Sequence, residues 1–261
     1  MTYMTETEEF NSLNQGFHLY YNQDDCFNNK GTDKFVYGYG VKGKWNEKKQ
    51  KFSESKRYGH EESLDVFIKK YNNFEYGTIK FFYEMFQTND ARLEHYDCDI
   101  EFKTGNIYAS REPTRFLEIF ETLRSKFIRN DETMKEFYGD KQPNWRITDA
   151  SNDEKISYHL VNLNNTFFDF DEMKNFTDRF THYIQTFEPE FDGIFDKSIY
   201  SSNRLFRILG SSKWGQERPF RRAGWHQPSI NAPIEEFFGN NVNFKNVKLA
   251  KKTFEKFNRS E

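Results

Sequence analysis

The sequence predicts an α+β fold in which helices cover a mixed or antiparallel sheet, with an additional α/β part at the N-terminus. Two patterns support this prediction: short segments alternate apolar and polar residues, as strands do, and longer segments place large apolar residues three and four positions apart, as amphipathic helices do. The 261 residues include 30 Phe and 15 Tyr, although apolar residues make up only 36%. We therefore expect a core packed mainly from aromatic rings.

The N-terminal part, residues 1–77, is predicted to combine strand and helix. Residues 34–45 alternate aromatic or apolar residues with small and basic ones, which is typical of a strand or a hairpin. Residues 61–71 carry apolar side chains at helical spacing, namely Leu64, Phe67, Ile68 and Tyr71. This part of the chain should therefore be mixed α and β.

The central part, residues 78–225, is predicted to form the core of the fold. Two strands, 78–86 and 93–102, flank the polar turn 87–90 and are expected to form a hairpin. The remaining predicted elements are a helix that begins at Pro113, a strand at 155–164, a helix at 169–187 and a strand at 203–210. The order β-β-α-β-α-β is typical of a sheet with helices on one face, as in RNA-recognition-motif-like (RRM-like) or ferredoxin-like folds.

The rest of the chain shows no sign of a second domain. Residues 226–261 are expected to add a helical extension, and no linker rich in Pro, Gly or Ser interrupts the sequence. We therefore predict a single domain over residues 1–261.

Composition limits the classes of protein to which this chain could belong and indicates its compartment. A net charge of -3 and a pI near 6.1 argue against a uniformly basic surface, although they allow a local basic channel. Cys26 and Cys98 are the only cysteines, too few for a disulfide framework or a Cys-rich zinc site. The chain has neither an apolar run long enough to span a bilayer nor the pattern of a signal peptide. These features predict a soluble, intracellular protein without a membrane partner.

Three acidic residues alternate with apolar ones in the second predicted strand of the core. Side chains alternate between the two faces of a strand, so Asp97, Asp99 and Glu101 should share one face. The opposite face should enter the core and consists of Tyr96, Cys98, Ile100 and Phe102. Carboxylates this close repel one another unless a cation bridges them, and hard oxygen ligands select Mg²⁺ or Mn²⁺. The alternative is a solvated edge strand with acids for solubility.

A second strand carries a cation, a hydroxyl and an imidazole on one face. Alternation places Lys155, Ser157 and His159 in a row. Such a row suits an anion such as a triphosphate, because the lysine offsets charge while the hydroxyl and the ring donate hydrogen bonds. For His159, the alternative is a histidine whose hydrogen bonds are satisfied within the sheet.

The stretch from Asp196 to Lys213 combines one acid with spaced cations. If residues 203–210 form a strand, Arg207 emerges on a defined face, and its guanidinium can hold phosphate oxygens in a bidentate grip. Lys213 follows in a Ser-rich loop that could close over phosphates. Residues 214–225 mix aromatic and cationic residues, as surfaces that bind single strands do. For Arg204 and Arg207, the alternative role is in surface ion pairs.

Three motifs, Asp99-x-Glu101, Ser157-x-His159 and Asp196, stand in the order that they have in the archaeo-eukaryotic primase (AEP) superfamily, which the sequence resembles. The resemblance is greatest to the PrimPol branch and to the primase-helicases of large DNA viruses. Its most specific part is the segment Tyr-x-x-Asn-Arg-x-Phe-Arg-x-x-x-Ser-Ser-Lys, which ends at Lys213. The resemblance also includes Phe82-Tyr83-Glu84-Met85 and Asp153-Glu154-Lys155-Ile156-Ser157-Tyr158-His159-Leu160, and it extends over about residues 78–225.

The resemblance implies an AEP-type catalytic core at residues 78–225 and template-directed nucleotidyl transfer by a two-metal mechanism, as DNA primase, DNA polymerase or both. It implies that two Mg²⁺ or Mn²⁺ ions are held by the catalytic residues Asp99, Glu101 and Asp196. It implies that the triphosphate of an NTP or dNTP is bound by Lys155, Ser157, His159, Arg207 and Lys213. A single-stranded DNA template and a primer are then the further partners. Residues expected to orient the metal ligands or to contact DNA are Asp97, Arg204, Arg218, Arg221 and Arg222.

The sequence departs from the family in two ways. Many relatives carry a Cys/His zinc module or an iron-sulfur partner, and no comparable cluster is present, so neither zinc nor an iron-sulfur cluster is expected in this chain. No Walker A motif is present, so a helicase would lie beyond residue 261 or act in trans. Two other functions stay open: a metal-dependent nuclease, suggested by the Glu-x-Lys that ends at Lys103, and a catalytically inactive relative that binds nucleic acid.

Overall fold

The computed structural model describes residues 16–74, 79–102, 112–139 and 141–242. The chain divides into two compact units. The first unit consists of residues 1–86 and 205–220, and the second of residues 87–204 and 221–261. Each unit contains one four-stranded sheet. The predicted α+β class is therefore confirmed, with separate sheets in the two units.

The secondary structure of the described residues is as follows. The strands are β1 (Phe35–Asn46), β2 (Lys51–Glu61), β3 (Phe82–Phe86), β4 (Arg92–Glu101), β5 (Trp145–Asp149), β6 (Lys155–Phe167), β7 (Arg204–Arg207) and β8 (Arg221–Arg222). The α-helices are α1 (Gln23–Asn29), α2 (Leu64–Asn73), α3 (Pro113–Asn130), α4 (Glu132–Tyr138), α5 (Phe170–Phe187) and α6 (Gln227–Ile230). Short 3-10 helices are found at Pro189–Phe191, Lys197–Ile199 and Ile234–Phe237.

In the first unit the strand order is β2-β1-β3-β7, and β1 pairs antiparallel with both β2 and β3. Helix α2 begins after Ser63, whose hydroxyl accepts a hydrogen bond from the Val66 N–H, as N-cap residues do. Phe67 of α2 is buried and packs on the sheet, with its ring centroid 4.9 Å from that of Tyr37. The aromatic core predicted from composition is present in this unit.

In the second unit the strand order is β4-β6-β5-β8, with antiparallel pairing between each pair of neighbours. Helices α3 and α5 bury the phenylalanine faces that the sequence predicts. The Phe127 ring of α3 stacks on Phe180 of α5 at 5.2 Å, and Phe120 meets Tyr96 of β4 at 5.0 Å. These contacts fix the apolar face of β4, so the alternate residues of that strand project from the other face.

A buried ion pair ties β4 to α3. The Arg124 guanidinium donates two hydrogen bonds, of 2.6 and 2.7 Å, to the Glu94 carboxylate. Both side chains are buried, and Tyr96, Asn162 and Asn165 also donate to Glu94. Burial raises the pKa of Glu94, but Arg124 and the other donors outweigh that effect and hold the pKa below its ordinary value. Glu94 is therefore an anchored, charged residue just before the acidic part of β4.

Several sequence predictions are confirmed by the structure. A strand covers most of 34–45, and helices begin and end close to the predicted limits near Pro113 and at residues 169–187. The strand predicted at 155–164 extends to Phe167. The predicted helix at 61–71 begins later, at Leu64, because the preceding residues belong to β2. The sequence analysis did not predict α1, β2, α4, β5 or β8.

The predicted hairpin is wrong. Strands β3 and β4 both form, but β3 pairs with β1 in one sheet and β4 pairs with β6 in the other. The physical reason lies in the burial of β3, since all five residues from Phe82 to Phe86 are buried. A strand buried on both faces belongs in the interior of a sheet, where it needs a neighbour on each side.

The predictions for Phe102 and for the C-terminal extension differ from the structure. Phe102 was expected in the core but is 40% exposed, because β4 ends at Glu101 and the alternation stops there. Only short helices, α6 and Ile234–Phe237, occur in the described portion of residues 226–261, and positions 243–261 lie outside the described residues. In the part of the chain that the structure describes, no helix combines the length and the apolar character that crossing a membrane requires.

Candidate functional site

The acidic face of β4 forms as the alternation predicts. Asp97, Asp99 and Glu101 occupy the positions between the buried Tyr96, Cys98 and Ile100. Burial raises the pKa of the Cys98 thiol well above its ordinary value, and the two neighbouring aspartates raise it further. Cys98 is therefore a neutral core residue, and the chemistry of this strand belongs to the carboxylates.

The register between β4 and β6 places the second motif beside the first. Asp97 lies opposite His159, Asp99 opposite Ser157, and Glu101 opposite Lys155. Residues directly opposite in an antiparallel pair project from the same face of the sheet. The predicted row of Lys155, Ser157 and His159 therefore lies alongside the row of acids.

Two contacts join these rows. The Lys155 ammonium lies 2.5 Å from Asp99 Oδ2. Glu101 is directly opposite Lys155 in the register, so Asp99 is a diagonal neighbour of Lys155. His159 Nε2 lies 3.5 Å from Asp97 Oδ1, and both side chains are largely withdrawn from solvent. The cation of β6 thus offsets part of the repulsion among the acids of β4.

Asp196 reaches the same place from the other side of β4. The Asp196 N–H donates to the Asp97 carbonyl and the Asp99 N–H donates to the Ile194 carbonyl, both at 2.9 Å. These bonds flank the bridge between Cys98 and Phe195, so Asp196 lies opposite Asp97. Its Oδ1 also accepts a hydrogen bond of 2.9 Å from the Ser198 N–H and so caps the following 3-10 helix. Asp97 is consequently flanked by His159 and by Asp196.

Two polar atoms of this face lack hydrogen-bond partners within the described part of the chain. The Ser157 hydroxyl belongs to a side chain that is only 1% exposed, and Asp99 Oδ1 is also buried. A buried polar atom without a partner costs about 1 to 3 kcal/mol. A bound cation at Asp99 and an anionic oxygen at Ser157 are ligands that would satisfy these atoms.

Over the ranges 16–74, 79–102, 112–139 and 141–242, no group of three or more His, Cys, Asp or Glu side chains is arranged to hold a metal ion. Asp99 instead faces the Lys155 ammonium, and Asp196 caps a 3-10 helix. The donor set still has the chemistry that Mg²⁺ and Mn²⁺ select, since Asp99, Glu101 and Asp196 offer carboxylate oxygens alone. A fourth carboxylate, Asp97, lies closer to Asp196 in register than Asp99 does.

Arg207 and Lys213 belong to the first unit. Arg207 is buried, and its guanidinium lies over the Phe220 ring at 4.6 Å. Its Nη1 makes no hydrogen bond to any described residue. Lys213 is exposed and follows Ser211 and Ser212.

Buried hydrogen bonds at Ser211 anchor the loop that carries Lys213. Ser211 Oγ accepts a bond of 3.2 Å from the Phe82 N–H and contacts the Tyr71 hydroxyl at 3.3 Å. Gly210, just before it, has a φ of 87°, which favours glycine. The Ser-rich loop predicted from the sequence is thus anchored at its base, while Lys213 remains exposed.

A cluster on β2 was missed by the sequence analysis. The Lys56 ammonium lies 2.7 Å from Glu54 Oε1 and 3.3 Å from the centroid of the Tyr83 ring. Burial lowers the pKa of Lys56 to about 7; Glu54 opposes this effect, while Arg207 and Lys213 add to it. Since β2 was not predicted, no face could be assigned to Lys56.

The remaining arginines have separate surroundings. Arg204, in the second unit, is exposed and donates to Ser198 Oγ at 2.6 Å. Arg221 and Arg222 form β8 and are exposed, with Arg222 Nε donating to the Ala232 carbonyl at 3.1 Å. Arg218 is partly buried in the first unit. Their expected DNA contacts remain predictions.

The second unit therefore brings together seven predicted residues on β4, β6 and the segment before Lys197: Asp97, Asp99, Glu101, Lys155, Ser157, His159 and Asp196. No protein-family model matches this sequence, and no curated protein matches it either.

Proposed function

We propose that this chain catalyses template-directed nucleotidyl transfer as a DNA primase, a DNA polymerase or both, in DNA replication or damage tolerance. The observation that carries the proposal is the pairing of an acidic strand with a strand of Lys155, Ser157 and His159 in one register. Acids that suit divalent cations lie next to donors that suit phosphate oxygens. A nucleoside triphosphate accompanied by Mg²⁺ or Mn²⁺ needs both sets of groups, and the AEP-like motif order supports the same conclusion.

The carboxylates would hold the divalent ions. Asp99, Glu101 and Asp196 are the proposed ligands, and Asp97 would orient Asp196 and His159 through its position between them. When bound, the ions supply the charge that activates a primer 3′-hydroxyl and offsets the leaving pyrophosphate. Asp99 Oδ1 is already buried with no hydrogen bond to another described residue, so it is available to a cation.

The β6 residues would bind and orient the triphosphate. Lys155 is held close to Asp99, so its ammonium would lie between the acids and a phosphate bound next to them. The Ser157 hydroxyl would donate to a phosphate oxygen, and the His159 ring would donate to another. Fixed donors of this kind stabilise negative charge that develops on the phosphates. For Arg207 and Lys213, which belong to the first unit, triphosphate binding stays a prediction from the resemblance.

The proposed partners follow from the reaction. They are a single-stranded DNA template, a primer, and an NTP or dNTP. A helicase, as in the viral primase-helicases, is a further proposed partner. Arg204, Arg218, Arg221 and Arg222 are proposed DNA contacts.

The deciding experiment is an extension assay with primed and unprimed templates, labelled nucleotides and Mg²⁺ or Mn²⁺. The double variant Asp99→Ala, Glu101→Ala should lose nucleotide addition by at least about a hundredfold, because several kcal/mol of charge stabilisation disappear. Its fold should persist, since removing neighbouring like charges relieves repulsion.

The matched control is Glu132→Ala, Glu136→Ala, which removes two exposed carboxylates from α4 and should extend primers normally. Substantial extension by the Asp99, Glu101 variant would contradict the proposal. Template cleavage by the native protein would indicate the nuclease, and template retention without either reaction would indicate an inactive relative.

A further inference from the structure

A cavity of about 580 Å³ lies in the first unit, between the turn end of the β1-β2 hairpin and the loop after Lys213. It is distinct from the acidic face of β4, which belongs to the second unit. Its lining consists of Lys42, Trp45, Asn46, Lys49, Lys51, Phe52, Ser53, Glu54, Lys213, Trp214, Gly215 and Gln216. We refer to this cavity as the hairpin groove.

Two large rings are exposed in the hairpin groove. Trp45 is 48% exposed and Phe52 is 41% exposed, although both are large hydrophobic side chains. They are cross-strand partners, with ring centroids 5.0 Å apart at an interplanar angle of 70°. The pair is therefore held in place, and the exposed rings remain available for stacking. Exposed apolar surface next to a cavity is typical of a site that binds another molecule.

The charge of the hairpin groove is opposite to that of the whole chain. Four lysines line it, namely Lys42, Lys49, Lys51 and Lys213, against one acid, Glu54. Glu54 is already engaged by the Lys56 ammonium, the Tyr83 hydroxyl and the Trp214 N–H, at 2.7, 2.7 and 3.0 Å. The net charge of the chain is -3. A local excess of positive charge on an acidic protein favours a polyanionic ligand.

We propose that the hairpin groove binds single-stranded nucleic acid. Bases would stack on Trp45 and Phe52, with Trp214 as a third ring. The lysines of the β1-β2 hairpin, Lys42, Lys49 and Lys51, would bind the backbone phosphates. This combination of aromatic faces and cations along one groove is how proteins hold single strands without reading their sequence. The Lys42 ammonium lies over one face of the Phe52 ring, 3.8 Å from its centroid, so a cation is held next to the aromatic pair. An acidic peptide would use the lysines but has no planar bases for the rings.

This inference deepens the proposed function, because it names where a template or primer strand is held, and to that extent it rests on that function. Strand binding is measured without metal ions or nucleotides, so the two conclusions fail separately. If the protein binds strands through the hairpin groove but extends no primer, this inference stands and the proposed activity is contradicted. The Glu132→Ala, Glu136→Ala variant, which removes two exposed carboxylates from α4, should bind strands as the native protein does.

The test is fluorescence polarisation of a labelled oligothymidylate with the full chain. The variant Trp45→Ala, Phe52→Ala should bind at least about tenfold more weakly, since stacking contributes roughly 1 to 3 kcal/mol per base. The control Phe187→Ala removes a more exposed ring from the second unit and should change affinity by less than about twofold. The conservative variant Trp45→Phe, Phe52→Tyr keeps both rings and should retain most of the affinity.

The lysines are tested by salt dependence. The variant Lys49→Ala, Lys51→Ala should reduce the slope of log affinity against log salt by about 1.4, because each phosphate contact on a single strand contributes about 0.7. Lys126→Ala, Lys135→Ala, which removes two exposed lysines from α3 and α4, should leave the slope unchanged.

Three outcomes would overturn the inference. The first is native affinity in the Trp45→Ala, Phe52→Ala variant, provided that its melting curve is unchanged. The second is equal loss of affinity in that variant and in Phe187→Ala. The third is complete displacement of the oligothymidylate by a nucleoside triphosphate at constant ionic strength, which would make the groove a mononucleotide site.

Discussion

Asp99 experiences opposing electrostatic effects. Two other carboxylates share its strand face, and the Lys155 ammonium lies 2.5 Å from its Oδ2. The ion pair is partly exposed, so solvent screens it and its contribution stays modest. Its effect is mainly to keep the acids compatible with folding when no divalent ion is bound. Lys155 and a divalent cation would therefore compensate the same negative charge.

Removing Lys155 should make the protein depend on divalent ions for stability. We expect Lys155→Ala to lower the free energy of unfolding by about 1 kcal/mol without divalent ions, at the upper end for a partly exposed pair. Mn²⁺ should restore more stability in this variant than in the native protein. The control is Lys174→Ala, which removes an exposed ion pair of the same 2.5 Å distance in α5. Equal responses of the two variants to Mn²⁺ in urea unfolding would contradict this account.

The sequence predicted which residues share a face at the candidate site, but not which residues are opposite one another. Period-two alternation is local, so it placed Asp97, Asp99 and Glu101 together correctly. The register that places Asp97 opposite His159 depends on how two strands about 60 residues apart in sequence pair with each other. Alternation within either strand does not determine that register. The pairing of Asp196 with Asp97 arises from an isolated bridge and has no sequence signal that we recognise.

At the scale of elements, the helices were predicted best. Phenylalanines at positions three and four apart identify α3 and α5, since a single buried face is enough to stabilise each helix. Strand pairing was predicted less well. The polar turn 87–90 suggested a hairpin, yet the burial of every residue in β3 requires neighbours on both of its edges. Local turn residues cannot outweigh that requirement.

Glu172, in helix α5, should make the free energy of unfolding depend on pH. Glu172 accepts hydrogen bonds from the Tyr138 hydroxyl and the Phe168 N–H, and burial raises its pKa to about 7. The native state therefore holds a proton that the unfolded state releases near pH 4.5. Stability from this group is complete below pH 4.5 and is lost as the pH rises through about 7.

Glu172→Gln should remove this dependence. The native protein should lose up to about 3 kcal/mol between pH 4.5 and 7 through Glu172, at about 1.4 kcal/mol per tenfold change in proton affinity. The glutamine is neutral throughout, so the variant should gain stability relative to the native protein as the pH rises. Urea unfolding of both proteins across this range measures the difference, in which other titrating groups cancel. A difference that does not change with pH would show that Glu172 titrates normally.

At the scale of the whole molecule, the first unit is built from two distant parts of the chain. Residues 205–220 supply β7 and the loop that follows it. The Tyr71 hydroxyl donates to the Leu209 carbonyl at 2.6 Å, and the Ile208 N–H donates to the Phe82 carbonyl at 3.2 Å. The sequence analysis divided the chain at residues 77 and 225 instead. Composition could not have shown this arrangement, because no linker marks the points where the chain leaves and re-enters the unit.

A discontinuous unit should not fold from its first part alone. A fragment of residues 16–86 would lack the buried Phe206 and Ile208 and would leave β3 as an edge strand with its buried rings exposed. We expect this fragment to show no cooperative thermal transition by circular dichroism. The same fragment joined to residues 205–220 by a short Gly-Ser linker should melt cooperatively, because the added strand covers β3 and restores the contact between Phe86 and Phe206, whose ring centroids are 5.8 Å apart. Identical melting behaviour of the two fragments would contradict a structural role for residues 205–220.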